Sequence, residues 1–93
     1  MRNDKENIIV DKSFKFALDI VLYCELLEEN KKYVLSRQLL RAGTSIGANV
    51  REAQNIESKV DFIHKIKLAA KEVDETEYWL FIILPETYTA GYV

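Results

Sequence analysis

The chain has one cysteine, one histidine, one proline and three glycines in 93 residues. A single cysteine excludes a disulfide framework and a cysteine-based zinc site. In an average protein about one residue in eight is Gly or Pro, so this chain has too few tight turns for an all-β fold of its length. No apolar run reaches the roughly 18 residues of a membrane span, and Met1 to Asp11 is too charged for a signal peptide. What is present suits a folded domain: 48% of residues are apolar and 30% charged, which is not the composition of a disordered tail. The expectation is one all-α domain with two or three interruptions, cytoplasmic, with no membrane and no small-molecule substrate or cofactor.

Charge of one sign is also missing locally. Residues 72–93 have five acidic side chains and no basic one, residues 1–30 are net −3, and residues 31–71 are net +6, against −2 for the whole chain. Such segregation lets segments pair within the chain, lets copies pair with one another, or offers a basic middle to a polyanion.

Hydrophobic spacing predicts three long helices. Residues 1–11 read as an arm, with Asp11 or Ser13 able to cap a first helix over about 13–29. Phe14, Ala17, Leu18, Val21, Cys24 and Leu27 form a wide apolar stripe on it, broadened by Phe16, Ile20 and Tyr23. A helix that apolar is either central to a bundle or covered by a partner. Asn30 fits a left-handed helix end at the first turn. A second helix over 33–54 has Leu35, Leu39, Ala42, Ile46, Asn49 and Ala53 at alternating spacings of four and three, a heptad-type seam. Ser58, three residues before Asp61, caps a third helix over 58–84. Its seam reads Ile63, Ile66, Ala70, Val73, Glu77, Leu80 and Leu84, with Phe62, Ala69, Thr76 and Ile83 beside it. Pro85 ends it, and 85–93 form a tail. The bundle therefore occupies 12–84.

Several constellations invite a chemical reading. Gly43-Thr44-Ser45-Ile46-Gly47 matches G-x-S-x-G, but a nucleophilic serine needs a strand before it and a histidine and acid beside it. Helical periodicity precedes Gly43, so its glycines read instead as a small-residue face between close helices. His64 is the only histidine, which excludes an intrachain di-metal bundle site. Cys24 lies in the apolar face of the first helix and reads as an inert buried thiol. No enzyme is expected.

Asn49 and Glu77 are polar at seam positions, and a buried carboxylate needs a partner. Antiparallel pairing of the second and third helices brings Glu77 within reach of Arg37 and Arg41, and puts Asn49 near the backbone at Asp11 to Phe14. Asn49, Glu77 and Arg41 are thus expected to form a structural polar core. Tyr78 to Leu84 is apolar without a break, and Tyr78, Trp79, Phe81 and Ile82 are expected at an oligomer interface. Arg37, Arg41 and Arg51 on the second helix, with Lys59, Lys65, Lys67 and Lys71 on the third, are the candidates for RNA or DNA binding. The bland reading of such a run is a solvated face.

Residues 36–53 also match a known pattern, roughly S-x-Q-L-x-R-A-x-x-S-I-x-A-N-I-x-E. Ser36, Gln38, Leu39, Arg41, Ala42, Ser45, Ile46, Ala48, Asn49 and Glu52 are in place, with Val50 for Ile. A second block, Ser58 to Leu80, has Phe62, Ala69, Ala70, Glu77 and Leu80 in place. Over about residues 12–84 the chain resembles the four-helix-bundle proteins first described as encoded by intervening sequences of bacterial 23S rRNA genes. The resemblance implies an up-and-down bundle of the four-helix type that assembles as a ring-shaped homo-oligomer, commonly a pentamer. Relatives include the accessory protein of diversity-generating retroelements, which implies nucleic acid or a reverse transcriptase as partner. The family continues through a turn into a fourth helix, whereas this chain ends at Val93, so the fourth helix is expected to be missing or vestigial. The sequence reading is a non-enzymatic, self-associating helical bundle that binds RNA or DNA through a basic surface, or alternatively a protein-interaction module without direct nucleic-acid binding.

Overall fold

The computed structural model describes residues 7–87, which form three long helices and no strand among them: α1 (Ile8–Glu29), α2 (Tyr33–Ala53) and α3 (Lys59–Ile83). Residues 1–6 and 88–93, the ends of the expected arm and tail, lie outside the described residues.

The first helix starts earlier than its spacing implies. Asn7, not Asp11 or Ser13, is the cap: its side-chain oxygen accepts the Val10 N–H at 3.4 Å. Asp11 then falls in the first turn, where a carboxylate suits the positive end of the helix dipole. Ser13 is buried inside the helix and its hydroxyl donates to the Val10 carbonyl at 3.2 Å. Ile8, Ile9 and Val10 are helical, because a cap with a partner outweighs the weak preference of β-branched residues for extended backbone. Asn7 has that partner, since its amide also donates to the Gln54 side chain beyond the far end of α2.

At the other end of α1 the chain closes a Schellman motif. The Lys32 N–H donates to the Leu27 carbonyl and the Lys31 N–H to that of Glu28, each at 2.9 Å. The left-handed residue is Lys31 (φ 62°) rather than Asn30, whose φ is −92° and whose amide instead donates back to the Leu26 carbonyl. Ser58 caps α3 by accepting the Asp61 N–H, and α3 stops at Ile83 before Pro85.

α2 is the central helix. It packs along both α1 and α3, whereas no Cα of α1 comes within 8 Å of one of α3. Its buried residues include Leu39, Ala42, Ile46 and Ala53 of the expected seam, but Val50 in place of Asn49. Leu39 forms a core cluster with Ile20, Cys24 and Leu27, against which Tyr23, Leu40, Trp79 and Ile83 pack. Gly43 and Gly47 bring α1 close. A methyl on Gly43 would stand 2.9 Å from both Cγ atoms of Ile20, and one on Gly47 would stand 3.2 Å from the Ser13 carbonyl oxygen.

On α3 the buried row is not the expected seam but the row beside it. Ala69 and Thr76 are buried, whereas Ile63 and Val73 are 42% and 48% exposed, and Ala70 and Glu77 lie open. Small side chains at 69 and 76 let α3 approach α2 closely, and the Thr76 hydroxyl is satisfied by the Glu72 carbonyl of its own helix at 2.7 Å. Of the larger residues of the expected seam, Ile63 and Val73 are left exposed, whereas Leu80 is half-buried and packs against the core cluster.

Candidate interaction surfaces

Three helices in a row, with the outer two apart, leave a groove over the middle one. It has a volume of about 580 Å³ and is walled by Phe16 of α1 and by Val73, Leu80 and Phe81 of α3, with Ile46 of α2 beneath. Lys12 and Glu77 stand among its walls, on α1 and α3. The second half of the seam expected on α3, Val73, Glu77, Leu80 and Leu84, thus lines this groove.

A second uncovered surface winds along α1, from Phe14 beside α2 onto the outer side of the helix. Ile20, Cys24 and Leu27 point into the core, while Phe14, Leu18, Leu22 and Leu26 are 49–64% exposed. These four recur every four residues, so they form a ridge winding slowly around the helix. Of the two explanations for so apolar a helix, α1 is not central. Asp19 and Glu25 each stand three residues from Leu22, and Glu29 three from Leu26, which gives the ridge an acidic fringe. None of the three acids has a salt bridge among the described residues, whereas Asp11 pairs with Lys15 at 3.1 Å.

The expected oligomer residues divide. Tyr78 and Ile82 are exposed. Trp79 packs against the core cluster and donates its indole N–H to Glu75 at 3.1 Å, with the Tyr78 ring set edge-on to it. Phe81 lines the groove.

The expected polar core is rearranged. Arg41 is half exposed and pairs with Glu72 and Glu75, not with Glu77. Glu75 therefore receives both Arg41 and Trp79, tying α2 to α3 at the edge of the core. Glu77 is exposed, one hundred degrees around the helix from Thr76, which takes the buried position. Asn49 is half-buried and its amide donates to the Ser45 carbonyl of its own helix at 2.9 Å, so it does not reach the start of α1. Gln54 makes that connection instead, through Asn7. A polar clamp that spacing does not reveal sits at the α1–α2 contact. The Cys24 thiol donates to the Ser36 carbonyl at 3.4 Å, and the Ser36 hydroxyl lies 3.2 Å from both the Cys24 carbonyl and Glu28 Oε2. Burial pushes the Cys24 thiol up, the bond to Ser36 works against this, and the nearby Glu28 carboxylate adds to it.

The seven basic candidates are not equivalent. Arg41 is engaged by Glu72 and Glu75, and Lys65 by Glu52 at 2.7 Å. Arg37, Arg51, Lys59, Lys67 and Lys71 are exposed and have no salt bridge among the described residues. Arg37 and Arg51 belong to an outward row of α2 that runs Arg37, Arg41, Thr44, Ala48, Arg51, at spacings of four and three. The centre of that row is small. Beside it Phe14 and Ala17 of α1, with Thr44, Gly47, Ala48 and Arg51, enclose a shallow pocket of about 170 Å³.

Ser45 lies within α2 and its hydroxyl donates to the Arg41 carbonyl at 2.6 Å. That is an ordinary helical serine, without the strand-to-helix turn of a nucleophile elbow. His64 is exposed on α3. Among the described residues no group of three or more His, Cys, Asp or Glu could hold a metal ion, and no helix is long and apolar enough to cross a membrane.

Comparison with known proteins gives a consistent result. Residues 5–90 match the model of the 23S rRNA-intervening sequence protein family. A crystal structure of a protein of unknown function from the S23 ribosomal protein family of Bacteroides thetaiotaomicron is similar, with 49% identity and a TM-score of 0.81. The match covers 87% of this chain and 76% of that one. No curated protein matches the chain.

Proposed function

This chain belongs to the 23S rRNA-intervening sequence protein family, and we propose that it is a non-enzymatic helical module that assembles with copies of itself. The observation that carries this reading is the central place of α2. It leaves the leucine ridge of α1 and the α1–α3 groove uncovered in a single chain. Burying a large apolar side chain stabilises by roughly 1.5–3 kcal/mol, so several such residues on one helix face favour association. Tyr78 and Ile82 form a further open apolar pair at the end of α3. The resemblance to ring-forming relatives points the same way, and a pentamer is the assembly it implies.

The test is a substitution at exposed positions, where the fold of the single chain should tolerate it. Leu18→Glu with Leu22→Glu should leave the helical circular-dichroism spectrum intact and shift the mass measured by light scattering from an oligomer to one chain. An unchanged oligomer would remove α1 from the interface.

RNA or DNA is the partner in a second reading, supported by five of the seven basic candidates, Arg37, Arg51, Lys59, Lys67 and Lys71, which are exposed and have no salt bridge among the described residues. Arg41 and Lys65 contribute less here, since their charges are already matched. Symmetric copies would multiply this charge. Binding of this kind should weaken steeply with salt, because each neutralised phosphate releases counterions. A fluorescence-anisotropy titration at several salt concentrations checks it, and a salt-independent or undetectable signal would exclude it. Protein contacts alone, for example with a reverse transcriptase, would then remain. In either case the location is expected to be the cytoplasm.

A further inference from the structure

Self-association says nothing yet about which face meets which. Two surfaces of this chain are opposite in both shape and charge. The α1 ridge is raised and apolar, with Leu18, Leu22 and Leu26 exposed and, beside them, Asp19, Glu25 and Glu29, which have no salt bridge among the described residues. The outward row of α2 is its complement. Its middle is low, made of Thr44 and Ala48 beside the shallow pocket; Arg41 is held by Glu72 and Glu75, and Arg37 and Arg51 at either end have no salt bridge among the described residues.

Like meeting like is disfavoured on both surfaces. Two α1 ridges face to face would bring six such carboxylates together. Two α2 rows would set Arg37 and Arg51 of each copy, four arginines without a salt bridge among the described residues, against one another with little apolar area to bury. The ridge on the row satisfies both. Large side chains then cover small ones, and acids meet bases at the rim, where opposite charges fix the register. Resting on the self-association proposed above, we propose that the α1 ridge of one copy seats on the outward α2 row of a second copy, with Asp19, Glu25 and Glu29 against Arg37 and Arg51. Such a contact is heterologous: each copy keeps one free ridge and one free row, so the assembly grows until it closes as a ring or continues as a fibre. The same contact places Arg37 and Arg51 under a protein partner, where they are not open to phosphate.

The experiment uses two charge-reversed full-length chains. One has Asp19→Lys, Glu25→Lys and Glu29→Lys, the other Arg37→Glu and Arg51→Glu. All five positions are exposed, and circular dichroism checks that each variant stays helical. Each variant alone should associate at least about a hundredfold more weakly than the parent, because like charges then face each other across the contact. An equimolar mixture of the two should associate again in sedimentation velocity, since the reversed ridge of one then meets the reversed row of the other. The two chains must alternate, so the mixed species hold even numbers of chains even where the parent ring is odd. If the parent itself sediments as a single chain, self-association and this inference fail together. If the parent assembles and both variants do so equally well, self-association stands and the ridge-on-row contact is wrong. Two monomeric variants that stay apart when mixed would overturn the pairing. Loss of polyanion binding alone in the arginine variant, with assembly intact, would assign the α2 row to nucleic acid and also overturn it.

Discussion

Gly43→Val is expected to lower the free energy of unfolding by about 3 kcal/mol, the upper end of the range for overpacked sites. The reason lies in what faces Gly43. Ile20 is buried, and even a single added methyl would lie 2.9 Å from both its Cγ atoms and 3.3 Å from its Cβ. An isoleucine in a helix has essentially one χ1 rotamer, so it cannot swing aside. Relief requires α1 to move off α2, which breaks the core cluster of Ile20, Cys24, Leu27 and Leu39. Gly43→Ala tests the same contact with a built-in control. Alanine gains about 1 kcal/mol of helix propensity over glycine, so the steric loss is partly offset and the net fall should be near 1 kcal/mol. In an Ile20→Ala background the two Cγ atoms at 2.9 Å are gone and only the Cβ contact at 3.3 Å is left, so Gly43→Ala should turn stabilising. Denaturant unfolding of the four chains at one fixed concentration gives the cycle. A Gly43→Ala effect that is the same in both backgrounds would mean that Ile20 is not what Gly43 accommodates.

Leu39→Ala should cost about 3–5 kcal/mol, toward the high end for a buried leucine. Leu39 is fully buried and in the same cluster, on the helix that both neighbours pack against. A cavity there cannot collapse easily, because any shift of α2 toward one neighbour opens the contact with the other. The total stability of a domain this size is only about 5–14 kcal/mol. The variant should therefore melt well below the parent or fail to accumulate. A midpoint change within error in urea unfolding would show that α2 is not central in solution.

Much of this architecture can be read from residue types. Few Gly and Pro residues force helices, Asn30-Lys31-Lys32 and Asn55-Ile56-Glu57 mark the turns, and Ser58 and Pro85 bound α3. Leu39, Ala42, Ile46 and Ala53 declare the inner face of α2, and Gly43 with Gly47 mark its close approach to α1. What spacing leaves open is rotation. On α3 two adjacent rows are both apolar, and the pattern favours the bulkier one through Val73 and Leu80. Packing selects the row with Ala69 and Thr76, since small residues allow the closer helix contact. That rotation of about one residue moves Glu77 outward and gives Arg41 to Glu72 and Glu75. Asn49 turns out of the seam in the same way, and Val50 replaces it. Asn7, Gln54 and the Cys24–Ser36 clamp join residues distant in the chain, and no local pattern announces them. The α1 ridge was half legible: its composition showed that something covers it, but only the order of the helices shows that nothing within residues 7–87 does so.

The central claim is that a single copy of this fold is incomplete and that other copies cover its α1 ridge. Equilibrium sedimentation of the unmodified protein across micromolar concentrations tests it most directly. The account predicts a weight-average mass several times that of one chain, rising with concentration to a plateau. A single species with the mass of one chain over the whole range would contradict it.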